Sequence, residues 1–371
     1  MVKVGDIVAW MDEWARPALA IDGDPVGLQL GDPAKPVTKV LATLELTPAV
    51  AEEAVARGAQ LVVSHHAVLY RPADRIREDD PAGRMLRRLI QADVAVYNAH
   101  TNLDVAPGGV NDQLVERLGL VDVEVLAPTR HERMFKLAVF VPVDHHRQVL
   151  DAVCSAGAGW IGGYSSCTFN IPGKGTFKPE EGANPYIGSV GKLEEVDEIR
   201  LETVVPADRL NAVVDAMLAA HPYEEVAYDV YPLERPVKTF GIGRIGTLAK
   251  PMALKELAVF IKDRLDAPGV RFCGDASQRV SRLAVLGGSG MAWAEEARKK
   301  GADAFLTGDV KHHDALDALA AGLPVIDAGH YSTERWIVPV IVAYLQARAA
   351  ARGALVEVFP SDRIREPFAF V

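Results

Sequence analysis

The sequence predicts a mixed α/β protein: two related α/β halves form its body, interrupted by a ferredoxin-like α+β insert. Three observations predict it. Short apolar strands alternate with helices at both ends of the chain, the grammar of βαβ units and a mostly parallel sheet. The helix end Glu52-Glu53-Ala54-Val55-Ala56-Arg57-Gly58-Ala59 recurs nearly residue for residue as Glu295-Glu296-Ala297-Arg298-Lys299-Lys300-Gly301-Ala302. Between them lies a segment that reads β-α-β-β-α-β. These place an N-terminal half at 1–131, the insert at 132–233 and a C-terminal half at 234–371.

In the first half, Val40 to Leu44 reads as a strand and Ala49 to Arg57 as a helix stopped by Gly58. Leu61 to Val63 is the next strand and runs straight into Ser64-His65-His66. Arg84 to Gln91 is a helix, Val94 to Tyr97 a strand, and Asn98 to Asn111 a polar loop. In the second half, Leu283 to Leu286 is a strand, Gly287 to Gly290 a tight turn, Ala292 to Lys300 a helix and Ala304 to Leu306 a strand. Val325-Ile326-Asp327-Ala328-Gly329-His330 then resembles Val96-Tyr97-Asn98-Ala99-His100. The insert combines strands Lys136 to Val141, Glu198 to Val205 and Val226 to Tyr231 with helices Arg147 to Ala156 and Asp208 to Ala220. Its Gly-rich stretch from Gly157 to Gly191 reads as turns and close backbone packing. Pro232, Pro236 and Gly241 mark the return to the body.

Composition narrows the function. Of 371 residues, 49% are apolar and 24% charged, with 40 basic against 50 acidic side chains and a formal net charge of -10. That balance disfavours broad phosphate-backbone binding, which draws its affinity from Lys and Arg. The longest apolar run, Trp336 to Leu345, has ten residues and contains Pro339, against the roughly 20 that a bilayer-spanning helix needs. The first twenty residues carry Asp6, Asp12, Glu13 and Arg16 and lack a signal-peptide apolar core, so a cytoplasmic location is expected. Three cysteines, none in a Cys-x-x-Cys spacing, indicate neither a disulfide framework nor a thiolate zinc site.

Ligands in parallel sheets sit beyond the carboxyl ends of the strands, and a group of metal-ligating side chains falls there. His330 and Glu334 at i,i+4 share one helix face and can chelate an ion; equally, Glu334 can be a carboxylate at a helix start. His65 and His66 can converge where the strand turns, or form a solvated loop pair. Asp104 offers an oxygen at the same edge, or serves turn chemistry. Together, three His and two carboxylates make a mixed nitrogen and oxygen site fitted to a pair of divalent ions. Zn, Mn, Fe or Ni suit those donors, and two ions there would activate water and polarise an electrophile, the chemistry of hydrolases. Gly287 to Gly290 offers backbone amides to an anion only weakly. Asp309 reads most simply as the cap of the following helix, with His312 and His313 in its first turn, and otherwise this segment contacts the metal ligands or substrate. His145, His146 and His221 show no ligand pattern.

Several long motifs carry a family resemblance over essentially the whole chain. They are Val26 to Gly31, Val63-Ser64-His65-His66, Asn98 to Asp104 with Gly108 to Asp112, Thr307-Gly308-Asp309, and Asp327-Ala328-Gly329-His330 with Glu334. In these the chain resembles the NIF-three-like proteins, also called GTP cyclohydrolase I type 2 homologues. The resemblance implies a dinuclear metal site at His65, His66, Asp104, His330 and Glu334, with Glu334 bridging. It implies a toroidal homohexamer and a hydrolase that opens the purine ring of GTP and releases formate; His100, near Asp104, is the candidate for proton transfer or orientation. A phosphoesterase on another nucleotide and a non-enzymatic metal-binding ring scaffold or regulatory protein are the alternatives. The middle segment, with His221-Pro222-Tyr223-Glu224-Glu225-Val226, looks like a CutA- or PII-like insert. Glu45, Ala67 and Pro25 depart from the usual Asp, Pro and Asn of the family.

Overall fold

The computed structural model describes the chain from Met1 to Val371, residues 235–238 by backbone only. Two compact units are present: residues 1–130 with 240–371, and residues 131–239. The strands Leu120–Pro142 and Tyr228–Ala253 carry the chain from one unit to the other. Of the expected boundary markers, Pro236 lies outside the described side chains.

The first unit opens with the helix Val4–Trp14, which buries Val4, Ile7, Trp10 and Met11 at helical spacing. A five-stranded sheet follows in the order Gly27–Leu30, Ala95–Asn98, Leu61–Ser64, Lys39–Thr43, Glu357–Pro360. The inner strands are parallel and Gly27–Leu30 is antiparallel to its neighbour. Leu61–Ser64 and Ala95–Asn98 are buried along their whole length, as strands covered on both faces must be. The helices between them start as the sequence prescribes. Thr47 caps Pro48–Ala56 through the Val50 N–H at 3.3 Å, and Asp80 caps Pro81–Gln91 through the Gly83 N–H at 3.1 Å, each with Pro at the first position.

Register then decides where the chemistry falls. Thr43 pairs with Ser64 and Ser64 with Asn98, so three parallel strands end level and His65, His66 and His100 leave from one edge. The C-terminal part repeats the plan. Arg279–Ser289, Ala304–Gly308 and Val325–Asp327 run parallel in that order, with Arg271–Cys273 antiparallel beyond them. Thr307 pairs with Asp327, which brings Asp309 and His330 out together.

Three expectations are corrected here. The Asn98 to Asn111 loop contains a short helix, Thr101–Val105, because the Asp24 carboxylate accepts the Thr101 N–H at 3.0 Å and seeds the first turn. Gly287, Gly288 and Ser289 continue the strand Arg279–Ser289 and do not turn. The helix expected from Ala292 begins as a 3-10 turn, Met291–Trp293, and becomes α-helical only over Ala294–Lys299.

The second unit has strands in the order Thr168–Phe177, Glu194–Pro206, Leu120–Pro142, Tyr228–Ala253. Helices His146–Ser155 and Leu210–Ala220 bury Val149, Val153, Val213 and Met217 with Leu137, Val139, Val141, Leu201 and Val205. No helix among the described residues is long and apolar enough to cross a membrane.

Candidate metal centre

His65 and His66 extend the parallel ladder by one step each: the His65 N–H donates to the Thr43 carbonyl at 3.1 Å and that of His66 to Leu44 at 2.9 Å. Both backbones are thus fixed before the side chains are considered. Four imidazoles then show one design. His65 Nδ1 donates to the Ala99 carbonyl at 2.8 Å, and His66 Nδ1 faces Glu45 Oε1 at 2.8 Å. His100 Nδ1 faces Asp24 Oδ1 at 2.9 Å, and His330 Nδ1 faces Asp309 Oδ2 at 2.7 Å. A carbonyl or carboxylate only accepts, so the Nδ1 of His65, His100 and His330 carries the proton and Nε2 is the nitrogen turned to the cluster.

The Nε2 atoms meet buried carboxylates. Glu334 Oε2 lies 3.1 Å from His66 Nε2 and 3.0 Å from His330 Nε2, while Glu334 Oε1 is 3.9 Å from His65 Nε2. Asp104 Oδ1 is 3.6 Å from His65 Nε2. The ligand atoms of His66, His330 and Glu334 lie within 4.8 Å of one another, as do those of His65, His66 and His100. All five residues expected as ligands come together. Asp104 stands beside the others through His65, and His100, expected to transfer a proton or to orient, joins the imidazole group.

Charge and burial compete throughout. Burial pulls the His66 imidazole down, but Glu334 and Glu45 outweigh it and lift it to about 10. His330 is lifted to about 9 against burial by Glu334 and Asp309. Burial raises the Asp104 carboxyl to about 6, opposed by the charge of His65. Glu334 is buried too, yet the three imidazoles of His330, His65 and His66 hold it well below the usual carboxylate range. Burial opposes a raised His100, and Asp24 raises it nevertheless.

Several contributors were faint or absent as site residues in the sequence. Asp309 does not cap: the helix His312–Ala320 starts after Lys311 without a side-chain cap, and the Asp309 carboxylate instead holds His330. Asp24 sits in a short Asp-Gly-Asp-Pro turn, with no spacing that ties it to His100. The anion reading of Gly287 to Gly290 fails, because these amides are used internally. Gly287, Gly288 and Gly290 donate to Asn111 Oδ1, Thr333 Oγ1 and Thr307 Oγ1 at 3.1, 3.0 and 2.8 Å. Gly288 contributes space: a Cβ there would stand 2.2 Å from Glu334 Oε1. Glu45, one methylene longer than the expected Asp, still reaches His66.

A cavity of about 1040 Å³ opens beside His66 and His330. Tyr331, Arg271 and the C-terminal residues Arg365, Phe368 and Phe370 line it.

A mixed α/β fold with a buried cluster of imidazoles and carboxylates at aligned strand ends defines a class of candidate metalloproteins. Within that class, the profile of the Duf34/NIF3 (NGG1p interacting factor 3) family matches residues 2–367, and the chain belongs to this family. It is 46% identical over 365 residues to a GTP cyclohydrolase 1 type 2 homolog of Bacillus subtilis (strain 168), covering 98% of each. It is 44% identical to the protein of the same name from Halalkalibacterium halodurans, again over 98% of each. Among solved structures, a Bacillus cereus protein related to NIF3 superposes with a TM-score of 0.92 at 43% identity, covering 100% of this chain and 99% of that one. A Staphylococcus aureus protein gives 0.80 at 29% identity with the same coverage.

Proposed function

We propose that this chain is a metal-dependent hydrolase acting on a nucleotide, with two divalent ions from among Zn, Mn, Fe and Ni held by His65, His66, Asp104, His330 and Glu334. The observation that carries the reading is the pair of buried atoms His65 Nε2 and Asp104 Oδ1, which find no hydrogen-bond partner. Orphaned polar atoms at the centre of a cluster are costly unless an ion completes them. The donor set is nitrogen and oxygen, as these ions accept. Bound there, they supply Lewis acidity and an activated water.

The chain's own residues do the rest. Asp24 holds the His100 ring by its Nδ1 and favours its proton, which leaves Nε2 as the atom that exchanges a proton with a leaving atom. Tyr331 and Phe368 offer faces for a base, and Arg365 a fork for phosphate. The relatives' printed name directs attention to GTP, whose purine ring would be opened by water with loss of one carbon as formate. Metal-loaded protein incubated with GTP is expected to release formate and a pterin triphosphate, followed by chromatography. Cleavage of a phosphoester instead would sink the cyclohydrolase reading while sparing the hydrolase class, and ion binding without any turnover would favour the scaffold.

The same reading takes the body as two related halves, 1–131 and 234–371, supported by their shared strand order and sense, and the residues 132–233 as a ferredoxin-like, CutA/PII-like insert, supported by its strand order. It includes a cytoplasmic homohexamer.

A pH signature follows from the raised imidazoles. Because His66 and His330 sit at about 10 and about 9, both are protonated at pH 7.5, and an ion must displace those protons. Titrating ion-free protein with Zn is expected to release about two protons per chain, read as a calorimetric heat that changes with buffer ionisation enthalpy. The release should fall as pH rises through about 9 and about 10, where these imidazoles lose their protons. Heat independent of buffer at pH 7.5 would contradict the assignment.

A further inference from the structure

The motif His221-Pro222-Tyr223-Glu224-Glu225 has no part in the metal centre, and in the second unit it builds one wall of a separate cavity of about 630 Å³. The His221 ring is locked from both sides. Its Nε2 donates to the Phe140 carbonyl at 3.0 Å and its Nδ1 accepts the Tyr223 N–H at 3.1 Å. Tyr223 is thereby positioned, and its hydroxyl donates to Glu198 Oε1 at 3.0 Å. Glu224 holds the covering loop by accepting the Asn184 N–H at 2.8 Å.

Glu198 is the informative member. It is only 8% exposed, and its carboxylate lies over Gly175, where a Cβ would stand 2.2 Å from Oε2. Glycine in that strand makes the room. Among the described residues no Lys or Arg pairs with Glu198, although three cations line the same cavity. Each of them is engaged elsewhere: Lys174 with Glu195 at 2.6 Å, Lys178 with Glu180 at 3.5 Å and Arg200 with Glu202 at 2.9 Å. Aromatic rings form part of the remaining wall, with Tyr223 6.0 Å from Phe177 and 6.2 Å from Tyr186 between centroids.

A buried carboxylate answered only by a neutral hydroxyl is expensive to keep, and a cation is its natural complement. Aromatic faces add attraction for that cation and cover an apolar body. We propose that this cavity binds a small primary organic amine as its ammonium ion, the head on Glu198 and the body against Tyr223, Phe177 and Tyr186. An anion would meet Glu198 first, and a purely apolar ligand would leave the carboxylate desolvated and unanswered. The volume lies within the ordinary range for small-molecule sites.

The test uses the full chain and calorimetric titration with benzylamine, tyramine and agmatine, with benzyl alcohol as the neutral counterpart of the first. At least one amine is expected to bind saturably at one per chain, and benzyl alcohol at least about 10-fold more weakly than benzylamine. Glu198→Gln keeps the shape and the acceptor for Tyr223; it should cut amine affinity by about 10-fold or more while leaving benzyl alcohol unchanged. Phe177→Ala, which spares the Glu198–Tyr223 bond, should weaken amine and alcohol alike, and serves if Glu198→Gln fails to fold by circular dichroism. No saturable amine binding, equal affinity for amine and alcohol, or amine binding untouched by these substitutions would overturn the proposal.

Discussion

Glu334→Gln is expected to reduce the ion content of the purified protein to on the order of a tenth of the wild-type value or less, since loss even of groups that merely orient ligands weakens metal sites about 10- to 100-fold. The substitution is nearly isosteric, so packing around this buried side chain is retained and the effect isolates charge. Three imidazole nitrogens, those of His65, His66 and His330, face this one carboxylate within 3.9 Å. Without it, His66 and His330 lose their main shared counter-charge at a mutual Nε2 separation of 3.2 Å. They should then give up their protons at lower pH, and the proton release on Zn titration at pH 7.5 should shrink with the ion content. Elemental analysis after gel filtration measures the first quantity and calorimetry the second. Wild-type ion content in Glu334→Gln would remove Glu334 from the centre.

The fold was legible because period and punctuation were strong where the sheet is buried. Strands such as Leu61–Ser64, with every residue buried, can be read from a run of apolar residues ended by a polar break. Legibility fails where a distant partner makes the structure. The helix Thr101–Val105 depends on Asp24, 77 residues away, and no local pattern announces it. The same division holds at the metal centre. His65, His66, Asp104, His330 and Glu334 stand out because metal-ligating side chains at strand ends are chemically conspicuous. Their orienting partners stand out less, since Asp309 reads first as a helix cap and only second as a contact to the ligands, until its carboxylate is seen on His330 Nδ1. Gly288 is the extreme case, because its contribution is the absence of an atom.

Gly288→Ala is accordingly expected to be as damaging as the loss of a ligand. The residue has φ +66, and a Cβ would stand 2.2 Å from Glu334 Oε1 and 3.1 Å from His330 Nε2. The backbone cannot retreat. Its N–H donates to Thr333 Oγ1 at 3.0 Å and its carbonyl accepts from Thr307 Oγ1 at 3.0 Å, so the strand is tied to two elements. Glu334 must therefore move, and in moving it leaves His66 and His330. The left-handed backbone alone costs an alanine roughly 1–2 kcal/mol, and forcing an extra carbon into a packed site adds about 1–3 kcal/mol. Denaturant unfolding of chelator-treated protein should thus show a loss of about 2–5 kcal/mol, with ion content falling as in Glu334→Gln. Gly301→Ala separates the two causes. Gly301 has φ +74 with nothing within 4 Å of a Cβ, so it should incur only the backbone cost and keep its ions. If Gly288→Ala behaved like Gly301→Ala in both measurements, the close approach of Glu334 to this strand would be refuted, and with it the role of Gly288 in shaping the centre.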